Sequence, residues 1–164
     1  MVWTTVWFAV ACIVAVSAAL AAIGLRNPRV MLQDYPKDVQ AAVPPKTPAE
    51  RRETVFWAIL LGVLVFAPPL GAAITLELQR PDAGFPEATL TAFAVLIAFN
   101  LWDWLVVDWL LFCTIRPPFM AIPGTEGMAG YRDYGLHFRG FLIGLGLAVV
   151  ASLLIGLVAS ALPL

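Results

Sequence analysis

The residues best suited to chemistry lie close together in one segment, Asn100-Leu-Trp-Asp103-Trp-Leu-Val-Val-Asp108-Trp109, inside an otherwise apolar run. An Asp at mid-depth in hydrocarbon costs about 2.5–3.5 kcal/mol on insertion scales. Two on one run therefore ask for an ion, a ligand or a partner group. On an α-helical wheel of about 100° per residue, Asn100 centres a polar sector with Asp103 and Asp108 on its flanks, about 140° apart. Trp104, Val107 and Leu111 fill the space between the carboxylates. Trp102 and Trp109 share the opposite face, which is expected to meet lipid or the headgroup boundary.

A second group of reactive side chains follows in the connection from Arg116 to Arg139. Tyr131, Arg132, Asp133, Tyr134, His137 and Arg139 bring donors, acceptors and a proton-transfer group into a stretch punctuated by Gly124, Gly127, Gly130 and Gly135. His137 is the only histidine. It and Arg139 enter the last apolar run at the side where Asp108 leaves the preceding one, so Asp108 is expected to contact His137 or Arg139.

Three uses of these groups are open. The polar cluster of Asn100, Asp103, Asp108, Arg132, Asp133, His137 and Arg139 could bind an ion, a proton or a small polar ligand, and this is the leading expectation. Alternatively, His137 or Asp108 could act as general base in a membrane-embedded enzyme, with Arg132 and Arg139 holding the headgroup phosphate of a lipid-linked substrate. Finally, the groups could simply bind helices together. His137, Asp103, Asp108, Asp133 and Glu126 have no metal-ligand spacing, so no metal is expected. Pro123-Gly-Thr-Glu-Gly127 lacks the Lys of a phosphate loop, and no dinucleotide fingerprint occurs, so no cofactor is expected.

The elements that position these residues follow from composition. Hydrophobic residues make up 61% of the 164 and charged residues 13%, about half the usual charged share. Four runs are long enough to cross a bilayer, which takes about 20 apolar residues. The sequence predicts an all-α, polytopic membrane protein: a single four-transmembrane-helix bundle with helices over 2–25, 47–77, 87–115 and 138–162. The loops at 26–46 and 116–137 are predicted to be cytoplasmic. The first run has no basic n-region before it, which argues for an uncleaved helix and against a signal peptide. Thr47-Pro48-Ala49-Glu50 reads as a capping box with Pro at the first helical position. Pro68-Pro69 should kink the second helix and free two carbonyls.

Nine of the ten basic residues fall in the two long loops and their flanks, and only Arg80 lies in the short turn opposite. The positive-inside rule makes the basic side cytoplasmic and places both termini outside. That fits a multi-pass protein of the plasma (inner) membrane. The net charge of −1 leaves no basic stripe for nucleic acid; the bilayer itself is the expected partner.

Small residues recur at every fourth position of the last run: Gly140, Gly144, Ala148, Ser152, Gly156 and Ser160. They form a stripe that lets another backbone approach. The first helix, with its own alanines, is the expected partner, and a second copy of the last helix, giving a homodimer, is the alternative; separately, the chain could serve as an accessory subunit of a larger membrane complex. Cys12 and Cys113 fall at different depths and read as unpaired apolar filler. The 26–46 loop reads as a surface-hugging connector.

Overall fold

The computed structural model describes residues 2–162, and these form helices and turns with no strand. Helix α1 covers Val2–Arg26, α2 Lys37–Ala42, α3 Pro48–Gln79, α4 Gly84–Trp102 and α5 Tyr134–Ala161. Helix α4 continues without a break into a wider helix, Asp103–Ile115. Short 3₁₀ turns occupy Pro28–Asp34, Pro118–Met120 and Ala129–Arg132. Four of the helical rods are long and apolar enough to cross a membrane. Large apolar side chains project outward along all of them, including Val14, Ile59, Leu90 and Leu154, a surface that water would penalise and hydrocarbon would not.

The helix limits depart from the sequence expectation by more than one residue at one end, where the second rod runs on to Gln79, beyond residue 77, and at two starts. The third rod begins at Gly84, ahead of residue 87. The fourth begins at Tyr134, ahead of residue 138, because the Asp133 carboxylate accepts a hydrogen bond from the Leu136 N–H at 2.9 Å and caps it. His137 is therefore helical. At the second start the capping box forms as read: Thr47 Oγ1 accepts from the Glu50 N–H and Glu50 Oε2 from the Thr47 N–H.

Helix α3 runs through Pro68-Pro69 as one α-helix. Proline has no N–H, so the carbonyls four residues earlier, on Leu64 and Val65, lose their donors. Cys12 on α1 faces them, its Sγ at 3.6 Å from the Leu64 oxygen and 3.9 Å from that of Val65. The thiol is a donor to a broken ladder, which corrects its reading as filler. Both cysteines are unpaired, as expected.

The small-residue stripe of α5 packs on α4, not on α1, which instead lies against α3 and α4. A Cβ at Gly144 would collide with the Asn100 side chain, and one at Gly156 with Thr89. Ala148 and Ser152 between them are buried. Gly140 and Ser160, the ends of the stripe, stand outside this contact: Gly140 faces open space, and the Ser160 hydroxyl donates back to the Leu157 carbonyl. The partner differs because Asn100 presents a polar side chain for which only a glycine leaves room.

At the end with the two long loops a second small core closes the bundle. Leu32, Tyr35 and Val39 from the first loop bury against Ile122 and Tyr131 from the second. Tyr35 donates to the Met120 carbonyl at 3.0 Å, and Tyr131 accepts from the Ile122 N–H at 3.0 Å. The Gly130 N–H donates to Asp38 Oδ2 at 2.9 Å, at an approach that a Cβ on residue 130 would block. Arg29 pairs with Glu50 at 2.8 Å, and Lys46 donates to the Val30 carbonyl, Gln33 and Thr54, so the first loop is tied to α3. It is half of a folded cap, more than a connector.

Candidate functional site

In the Asp103–Ile115 segment the helix is wound in the π form, with backbone hydrogen bonds reaching from residue i to i+5; at its end the Arg116 N–H meets the Leu111 carbonyl at 2.7 Å. Each residue then turns through less than the roughly 100° of an α-helix. Positions five apart swing toward one side. Asp103 and Asp108 accordingly line the same cavity, at a smaller angle than the roughly 140° that an α-helical wheel sets between them. The same rewinding separates the tryptophans. Trp102 donates to Ser17 on α1 at 3.2 Å, whereas Trp109 donates to the Tyr134 carbonyl at the start of α5 and packs on Trp104. They do not share a face. A left-handed Arg116 (φ 53°) followed by Pro117 and Pro118 ends the segment.

The cavity has a volume of about 540 Å³. Its walls come from the last turns of α1 (Leu20, Ile23), the first loop (Asp34, Tyr35), the π-helix and the first turns of α5. His137 Nδ1 stands 3.1 Å from Asp108 Oδ1, with side chains 10% and 25% exposed. The Phe112 ring lies 4.9 Å from the imidazole, and His137 Nε2 is buried without a hydrogen-bond partner among the described residues. Asp103 lines the same cavity; its carboxylate makes no hydrogen bond or ion pair within the described residues, while Asp108 and His137 lie near enough to act on it electrostatically.

Of the other members of the polar cluster read from sequence, none joins this cavity. Asn100 donates to the Phe141 carbonyl at 3.1 Å and holds α4 to α5. Asp133 caps α5. Arg132 borders a smaller space of about 330 Å³ with Arg116 and Glu126. Arg139 is exposed on α5 and makes no ion pair among the described residues, so of the two expected contacts Asp108 takes His137.

The first loop supplies what the sequence reading missed. Gln33, Asp34, Lys37 and Gln40 line the cavity. Burial pushes the Asp34 carboxyl above its usual range; the Gln33 amide and Lys46 pull it back, and Asp108 pushes it further up. Asp34 and Asp108 therefore sense one another across the cavity, from loop to helix. Acidic residues in a basic loop were the available signal. Nothing in the spacing said which helix they would face.

Among the described residues no three of His, Cys, Asp and Glu converge closely enough to hold a metal ion. Comparison with protein-family models, with curated proteins and with solved structures returns no match.

Proposed function

We propose that this chain is a multi-pass membrane protein, without catalytic activity of its own, that binds a small polar ligand in the cavity at its basic end. The observation that carries this reading is Asp103. Its carboxylate lies in a cavity wall among apolar helices with no protein partner among the described residues, whereas the polar side chains nearest it on the same rod, Asp108 and Asn100, have partners. A charge in that position is costly unless something compensates it, and a bound ligand would do so. The volume falls in the range of about 300–1,000 Å³ typical of small-molecule sites. By the distribution of basic residues the cavity opens toward the cytoplasm in a plasma membrane, with both termini outside.

Gly140 offers a direct test. It lines the cavity, and a side chain added there meets nothing within 4 Å, while both native thiols are buried. In purified native protein N-ethylmaleimide is expected to label Gly140→Cys rapidly and the parent chain hardly at all. A Gly140→Cys thiol that reacts only after denaturation would remove the cavity from the account.

One observation favours a second reading. The Asp108–His137 pair, with Nε2 left without a partner, has the form of a base oriented by a carboxylate. A membrane-embedded enzyme acting on a lipid-linked substrate would lose turnover in His137→Gln with its folded yield intact.

A further inference from the structure

The reading of the cavity as a ligand site leaves the ligand's chemistry open, and the lining narrows it. Resting on that reading, we propose that the occupant is an amphiphilic organic amine, its protonated nitrogen held at Asp103 and Asp108 and its apolar body along Ile23, Val107 and Phe112.

The sign of the site comes first. Carboxylates reach it from two separate elements, Asp34 from the loop and Asp103 and Asp108 from the π-helix. The cation in the lining, Lys37, is exposed and directs its ammonium to Gln40 at 3.4 Å. An anionic ligand would be repelled, and a neutral one would leave Asp103 uncompensated. A positive charge is what the wall lacks.

His137 is an independent pointer. Its side chain is nine-tenths buried, and Nδ1 is committed to Asp108. With the Nδ1 proton facing the carboxylate, Nε2 is an acceptor, and no donor among the described residues meets it. An ammonium group is a donor with three N–H bonds and no acceptor, the complement of a wall whose unpaired groups, the Asp103 carboxylate and the imidazole nitrogen, are acceptors.

Size and polarity exclude a bare ion as the natural occupant. Among the described residues no trio of ligating side chains converges tightly enough for a metal, and about 540 Å³ is many times the volume of one water molecule. Most of the remaining wall is hydrocarbon or aromatic, with Leu20, Ile23, Val107, Phe112 and Leu136 contributing. An apolar body there is favourable by burial.

The experiment uses protection of Gly140→Cys from N-ethylmaleimide in purified protein, with n-hexylammonium, n-hexanol and hexanoate as probes of equal chain length. Saturable protection by n-hexylammonium alone is expected, and Asp103→Asn should raise the half-protecting concentration by about tenfold or more through loss of a charge-assisted bond. Equal protection by n-hexanol or hexanoate would overturn the amine assignment while leaving the ligand site standing. So would free labelling with no protection by any probe, or an Asp103→Asn variant protected as well as its parent. A thiol that cannot be labelled in the native protein would sink the cavity and the amine together.

Discussion

At the scale of single residues, chemistry in this chain is decided by groups that sequence neighbours do not reveal. Cys12 meets carbonyls that Pro68 and Pro69 leave without donors on another helix. The proline pair was visible in the sequence; its partner was not, because a thiol inside an alanine-rich helix carries no label of its contacts. Cys12→Ala should lower stability by about 1 kcal/mol, the scale of a hydrogen bond within a membrane protein, whereas Cys12→Ser, which keeps a donor, should stay close to the parent in thermal unfolding of the detergent-solubilised protein. Asp34 gives a prediction of opposite sign. Its pKa in the fold is raised above the unfolded value of about 3.9. At neutral pH its charged form is therefore disfavoured by folding; that penalty fades as pH falls through the folded pKa and is gone below the unfolded one. Asp34→Asn should unfold at higher temperature than the parent at about pH 7, with the gap closing toward about pH 4.

At the scale of elements, two features set the geometry. The small-residue stripe of α5 was legible by its four-residue spacing, and the requirement for a close neighbour was correct. Its partner was legible only through Asn100, whose size and polarity match the gap at Gly144. Gly144→Leu and Gly156→Leu should each cost about 1–3 kcal/mol by overpacking against α4. Gly146→Leu, on an exposed position with nothing within 4 Å of its Cβ, should fold like the parent. Size-exclusion profiles after stepwise heating separate these outcomes. The π-helix is the feature no periodicity announces. Hydrophobic residues surround Asp103 and Asp108 in either winding, so α-helical spacing set the carboxylates at the two edges of one polar sector and the π winding brings them closer together around the axis. The start of α5 was legible in principle: Asp133 precedes it as a capping residue, but Gly135 made the turn look like loop.

At the scale of the molecule, the count of long helices, their order and the clustering of basic charge at one end follow from composition and run length alone. The folded cap does not. Tyr35, Ile122 and Tyr131 lie far apart in sequence and meet only because the antiparallel rods bring the two long loops to the same end. That meeting makes the first loop, with Asp34, a wall of the cavity at the basic end. The central claim is that the space bounded by Asp103, Asp108 and His137 opens on the cytoplasmic face of four membrane spans. Its most direct test is sided labelling with a membrane-impermeant thiol reagent. Gly140→Cys should react in inverted vesicles and Asp82→Cys, in the turn at the opposite end, in intact cells. Reaction of Gly140→Cys from outside, or of both positions from the same face, would contradict it.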